Sequence, residues 1–263
     1  MNQTKDTTSR QAFSHEAFTG AAARLGRVAV VIPTYNHWPM VRDVVQEASL
    51  LGLPVFVVDD GSTDGTANGL SELTGIHLIR HEQNQGKGQA LLTGMRAVAK
   101  VADWVITLDA DGQHRPQDAL SLVAAINGNE RAMVVGCRQG MDQGPVPWTS
   151  RWGREFSNFW VWLASGCWVS DSQSGFRLYP LPETLLLPTR ARRFQFEVEV
   201  LVQATWSGLP LKEAPVSVNY QPPGERRSHF RPWLDFWRNT KTFTRLITMR
   251  ILSPLRTSQR GSF

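Results

Sequence analysis

Cysteine is scarce: Cys137 and Cys167 are the only two in 263 residues. Two thiols cannot staple a disulfide-rich fold or complete a four-thiolate zinc site, and they read as ordinary thiols in a reducing compartment. Long apolar runs are missing too. In the Trp-rich part the charge-free stretch FSNFWVWLASGCWVS covers 156–170, 15 residues, against the roughly 18–20 a spanning helix needs. Residues 1–26 mix Lys5, Asp6, Arg10, Glu16 and Arg24 with polar residues and carry no apolar h-region, so no secretory signal is expected. No GxGxxG follows the first apolar run, and no GxxxxGK with a following Ser or Thr occurs anywhere. A dinucleotide fingerprint and a Walker loop are therefore excluded. Internal repeats and low-complexity linkers are also absent. The expectation is a cytoplasmic protein, free to lie peripherally on the cytoplasmic face of a membrane.

What is present supports a buried core: 41% of the residues are hydrophobic and 19% charged, ordinary values for a globular domain. The net charge of +5 is unevenly placed. Residues 222–263 hold nine basic and two acidic side chains, a net +7, which leaves the other 221 residues at −2. Tryptophan is abundant at ten copies, with Trp148, Trp152, Trp160, Trp162 and Trp168 close together. Core packing and an interfacial binding surface both fit such a cluster.

The first half alternates strand and helix. VAVVI (28–32), PVFVV (54–58), IHLIR (76–80), WVITL (104–108) and AMVVG (132–136) are short apolar runs of the kind found in strands buried on both faces. Helical patterns lie between them, at about 39–51, from Asp64 to 73, at 87–100 and from Pro116 to 126. The second half is less regular. A helix is expected at 150–165, a loop and short strand at 170–179, a helix at 195–207, a strand at 211–219 and a last helix at 232–252. Strands alternating with helices imply a parallel sheet with ligands beyond its carboxyl ends. The polar clusters PTYN, DDGSTD and DADGQH sit at those ends. We expect a flexible segment 1–26, one α/β domain at 27–221 and a basic amphipathic extension at 222–263.

The chemistry gathers around carboxylates. Asp109 and Asp111, with Ala110 between them, can converge on one hard cation such as Mg²⁺ or Mn²⁺, which takes oxygen ligands and keeps substrate phosphates in its shell. Turn polarity is the plainer account of such a pair. Asp59 and Asp60 can hydrogen-bond a base or ribose, or cap a turn with Asp64. Gly86-Lys87-Gly88 opens a helix, and its amides and ammonium suit a phosphate. Glu197 and Glu199 are two apart on a helix and cannot share a face. One at most is expected to point into the site, with the other solvated.

VVIPTYN (30–36), VVDDGSTDGT (57–66), NQGKGQA (84–90) and TLDADGQH (107–114) resemble, in order, the motifs of family 2 glycosyltransferases of the GT-A fold. VVGCR (134–138), DSQSGFRLY (171–179) and FQFEVEVL (194–201) resemble the branch of dolichyl- and undecaprenyl-phosphate sugar synthases. The resemblance spans about 28–220. It implies a Rossmann-like, mostly parallel sheet, a UDP- or GDP-sugar donor, a divalent metal, a lipid-linked acceptor and an inverting hexosyl transfer. It places Pro33, Tyr35, Asp59 and Asp60 at the nucleoside, Lys87 and Ala110 near the donor, and Asp109, Asp111 and Gln113 on the metal. Arg138 and Arg151 would meet acceptor phosphate, and Asp171 would face the acceptor. A sugar-hydroxyl acceptor would need a general base, for which Asp171 is the candidate, whereas an anionic lipid phosphate would need little base help and be held by the two arginines. His37 departs from the branch, which usually carries Glu there, and 220–239 is not its usual ending.

The extension has two readings. From Trp233 an apolar arc takes in Phe236, Trp237, Phe243, Ile247 and Ile251, with Thr240 and Thr244, and Arg238, Lys241 and Arg245 flank it. This is the composition of a membrane-surface anchor, and equally of a helix packed on the domain with a solvated charged face. Arg226 and Arg227 could close over phosphates or be solvated. Nucleic acid is not an expected partner, because no binding motif surrounds the basic block. Two rival functions remain. A nucleotidyltransferase usually carries a Gly-rich basic loop after its first strand, which PTYNHW is not. A catalytically silent nucleotide-sugar-binding protein would have little use for the Asp109/Asp111 pair.

Overall fold

A computed structural model describes Phe18 and residues 20–139, 148–219 and 232–252, without the side chains of 148–152 and 232–239. The elements, in chain order, are β1 (Val28–Thr34), α1 (Met40–Ser49), β2 (Val55–Asp59), α2 (Thr66–Ser71), β3 (Ile76–Arg80), α3 (Lys87–Val98) and β4 (Trp104–Thr107). A 3₁₀ turn (Pro116–Asp118) then leads into α4 (Ala119–Ala124), followed by β5 (Met133–Arg138), α5 (Trp148–Ser165), β6 (Arg177–Pro180), α6 (Glu183–Leu186), α7 (Gln195–Trp206), β7 (Leu211–Val216) and α8 (Pro232–Leu252).

The strands form one seven-stranded sheet in the order β3-β2-β1-β4-β6-β5-β7. All neighbours are parallel except at β6, which runs antiparallel to both β4 and β5. This is the expected mostly parallel, GT-A-like sheet flanked by helices. The antiparallel β6 is a detail that periodicity did not reveal.

β1 shows why the apolar runs are continuous. All seven of its residues are buried. Val28, Val30 and Ile32 face one core with α1 and α4, while Ala29 and Val31 face a second core with α3, α5, α7 and α8. Burying a Val or Ile fully is worth about 1.5–3 kcal/mol, so neither face tolerates polarity. α3 lies close to the sheet at Gly94, where a Cβ would come within 2.5 Å of Val31 Cγ1.

The termini pack more than the sequence suggested. Residues 20–25 are helical, and Phe18, Ala21 and Ala22 are buried in the first core, so the packed body starts before residue 27. In α8, Phe243 and Leu246 are buried in the second core, and Ile247 packs against it. Leu246 replaces Ile251 in the expected arc, since Ile251 is exposed. The described part of the extension is thus a helix docked on the domain. Its start, with Arg226 and Arg227, lies outside the described residues. Among the described residues no helix is long and apolar enough to cross a membrane. Of the clustered tryptophans, Trp160 packs against the second core, whereas Trp162 and Trp168 are exposed. Cys137 and Cys167 are free thiols.

Candidate active site

The chain turns back in space at β1, with β2 on one side and β4 on the other. The crevice beyond the carboxyl ends of these strands is where open α/β sheets bind ligands. Register puts Thr34 opposite Asp59, and the Asp60 amide donates to the Thr34 carbonyl at 2.9 Å. Pro33 is buried at the end of β1, and Tyr35 is half-buried just beyond it. Asp109 and Asp111 follow β4, and Lys87 is the first residue of α3. The expected donor-side residues therefore come together at one edge.

The two aspartates after β2 do different work. Asp60 Oδ1 accepts from His81 Nδ1 (2.7 Å) and the Gln85 amide (2.9 Å), and Oδ2 accepts from the Gly86 amide (2.7 Å). It is consumed in holding the 81–86 loop. Asp59 Oδ1 accepts from the Ser62 amide at 3.0 Å. Asp59 Oδ2 is buried without a hydrogen-bond partner, with Arg80 Nε at 3.5 Å. Asp64 accepts from the Thr66 amide at 3.0 Å and so satisfies the start of α2. Between these groups Gly61 adopts φ +76°, and a Cβ there would meet the Gln83 backbone at 2.6 Å. His37, in the place of the branch's Glu, lies 2.8 Å through Nδ1 from the Tyr35 carbonyl.

Lys87 is the electrostatic centre. Its Nζ lies 2.6 Å from Asp109 Oδ1 and 2.6 Å from Glu197 Oε1. Burial alone would lower its pKa, but the two carboxylates outweigh it, and the ammonium is held above its ordinary value. Burial pushes Asp109 up, and Lys87 more than reverses this. Burial and then the Asp109 charge both push Asp111 up. Glu197 is raised by burial, with Lys87 opposing. His114 is lowered by burial, which favours a neutral imidazole. The ring rests against Phe176, and its Nδ1 is buried without a partner.

Asp109 and Glu197 pair with one ammonium and Asp111 stands beside Asp109, and both Asp111 and Glu197 have pKa values pushed up. An added cation would relieve that excess, and an all-oxygen pair suits a hard one. Among the described residues no three His, Cys, Asp or Glu side chains are grouped to hold a metal. The protein would offer the two aspartates, and phosphate and water would complete the shell, as Mg²⁺ commonly requires. Gln113 is buried beside them, its amide donating to Asp111 Oδ1 at 3.1 Å.

The acceptor-side residues form a pair. Arg138, at the end of β5, donates from Nε to Asp171 Oδ2 (2.7 Å) and from Nη2 to Oδ1 (2.8 Å). Asp171 is 1% exposed, so the residue expected to be a base has both oxygens engaged by a guanidinium. Ser157 and Asn158 of α5 hold the same loop, Asn158 bonding both Ser170 and Ser172. The backbone of Arg151 lies on α5, but its side chain is outside the described residues.

Sequence reasoning missed Arg177. It is fully buried and donates to the carbonyls of Ser174 (2.7 Å), Ser172 (2.8 Å) and Glu197 (2.7 Å). It stands in the quoted DSQSGFRLY motif, but nothing local shows where its guanidinium goes. Glu199 corrects an expectation: it is 1% exposed rather than solvated, because α5 and α8 both cover α7.

Residues 29–181 match the sequence model of glycosyl transferase family 2. The chain belongs to that family. Among relatives of this glycosyltransferase, the UDP-N-acetylglucosamine–dolichyl-phosphate N-acetylglucosaminyltransferase of Methanococcus voltae is 31% identical over 215 residues, covering 73% of this chain and 86% of that protein. The undecaprenyl-phosphate mannosyltransferase of Micrococcus luteus is 28% identical over 222 residues, covering 76% and 87%. The polyprenol monophosphomannose synthase of Mycolicibacterium smegmatis is 26% identical over 213 residues, covering 73% and 77%.

Proposed function

We propose that this glycosyltransferase moves a hexose, with inversion, from a UDP- or GDP-sugar to a polyprenyl-phosphate acceptor at the cytoplasmic membrane face. The observation that carries the proposal is the buried edge where Lys87, Asp109, Asp111 and Glu197 meet, with the Arg138–Asp171 pair on the acceptor side. The names of the relatives support the lipid-linked acceptor.

Asp59 Oδ2, buried and without a hydrogen bond though ion-paired with Arg80 at 3.5 Å, is the acceptor offered to a base N–H or a ribose hydroxyl, with Pro33 and Tyr35 beside it. Asp60 shapes the loop that carries Lys87, and Ala110 spaces the two metal carboxylates. Asp109 and Asp111, with Gln113 beside them, would hold Mg²⁺ or Mn²⁺. The ion would supply Lewis-acid stabilisation of the departing diphosphate. Lys87, kept charged by two carboxylates, donates to a donor phosphate oxygen. A lipid phosphate is already anionic and needs little help from a base. Asp171 therefore orients Arg138 to present its guanidinium to that phosphate, a different role from the expected base. Arg151, Arg226 and Arg227 are further phosphate contacts.

The test is a screen of UDP- and GDP-sugars with Mg²⁺ or Mn²⁺, with and without polyprenyl phosphate, scoring nucleoside diphosphate and lipid-linked sugar. Transfer should need the lipid phosphate and the metal, and Asp111→Ala should lower it by about 10²–10³-fold. Transfer that survives Asp111→Ala sinks the metal assignment, and transfer only to sugar hydroxyls sinks the lipid one.

A further inference from the structure

Glu199 is a buried carboxylate that the chemistry above does not use. Its Oε2 accepts from the amides of Arg190 (3.0 Å) and Ala191 (2.6 Å). Its Oε1 accepts from Arg245 Nη2 of α8. One side chain of α7 thus joins the 190–193 segment to the C-terminal helix. A cavity of about 190 Å³ lies there, lined by Pro188, Arg190, Glu199, Gln203, Arg245 and Met249.

The 190–193 segment in turn braces the start of α3. The Gln89 amide donates to the Arg192 carbonyl at 2.9 Å. Arg193 Nη1 donates to Asn84 Oδ1 at 3.2 Å, and Arg192 bonds the Gln89 side chain. The contact leaves no room for side chains at the two glycines. A Cβ at Gly86 would lie 2.6 Å from the Arg192 carbonyl oxygen, and one at Gly88 would lie 2.9 Å from that of Arg193. Lys87 stands between those glycines. Its backbone is set by the 190–193 segment and its ammonium by Asp109 and Glu197. Glu197 and Glu199 project differently from α7, one holding the charge of Lys87 and the other holding the wall behind it.

Taking Lys87 as the donor-phosphate contact assigned above, we propose that Glu199 is a positioning residue that couples the docking of α8 to the placement of Lys87. Released from Arg245, the carboxylate loses the charge that fixes it over the Arg190 and Ala191 amides. The 190–193 segment then relaxes, and Lys87 drifts from the donor.

The test is a double-mutant cycle read on nucleotide binding. The affinity of UDP and of GDP with Mg²⁺ is measured by calorimetry for the wild type, Glu199→Gln, Lys87→Ala and the double variant, well below their melting temperatures. Glu199→Gln should weaken the nucleotide that the wild type binds by about 3–10-fold. In the Lys87→Ala background it should weaken binding no further. Arg245→Gln should give a smaller, equally non-additive loss, and Arg245→Lys should restore most of it. These two also serve if Glu199→Gln fails to fold. Unchanged affinity in Glu199→Gln, or a loss that adds fully to that of Lys87→Ala, overturns the coupling while leaving the donor assignment intact. If Lys87→Ala itself binds nucleotide normally, the donor assignment of Lys87 falls, and the coupling falls with it.

Discussion

The acidic residues around the end of β2 and those beyond β5 and on α7 find different kinds of partner. At and beyond the end of β2, carboxylates accept from backbone amides: Asp59 from Ser62 and Asp64 from Thr66 within a turn, and Asp60 from Gln85 and Gly86, 25 and 26 residues on. Beyond β5 and on α7 they pair with arginines far away in sequence, Asp171 with Arg138 and Glu199 with Arg245. Arg177 completes the contrast as a buried cation in the second half, bonded to three carbonyls and the Tyr179 hydroxyl rather than to a carboxylate. Backbone amides hold the loops beyond β2. Guanidinium groups hold the second half, and their loss leaves buried groups unsatisfied.

That contrast predicts a ranked set of losses. Arg177→Met strands three carbonyls and should cost about 3–5 kcal/mol, seen as a fall of roughly 10 °C in Tm. A fall of only a degree or two would show that the second half does not depend on its guanidinium. Gly175→Ala should act on activity and not on folding. Its Cβ would sit 2.4 Å from Asp109 Oδ2, so transfer should drop by about 10²-fold with Tm nearly unchanged. Asp60→Ala removes its two loop amides and His81 together and should cost about 2–3 kcal/mol in denaturant unfolding. Asp64→Ala removes the bonds from the Thr66 amide and hydroxyl at the start of α2 and should cost about 1 kcal/mol. If Asp64→Ala proved costlier than Arg177→Met, the contrast between the two regions would be reversed.

The same contrast explains what was legible in the sequence. Strands buried on both faces announce themselves as short apolar runs, and the first five lie within a residue or two of expectation. Asp64 and the DDGSTDG turn were legible because their partners are neighbours. Arg138 and Asp171 were each picked out, but their pairing joins positions 33 apart, and no local pattern encodes it. Glu199 was misread because two alternating glutamates look half-solvated until a second helix covers the far side. α8 supplies that cover: Phe243 and Ile247 of the arc counted from Trp233 pack on the core, and Leu246, outside that arc, is buried with them.

The reversed strand β6 has a consequence for how the protein can vary. β5 runs toward the site and ends at Arg138, and the chain re-enters the sheet through Asp171 and Gly175 at that same edge. Everything from 139 to 170 is therefore an excursion that departs and returns at one place, with its two ends buckled together by the Arg138–Asp171 pair. Its α5 puts Val161 and Ala164 into the second core, so the helix is fixed while the connections around it can change length without shifting the register of β1, β2 or β4. The Arg138–Asp171 clasp keeps the two ends together whatever the length between them.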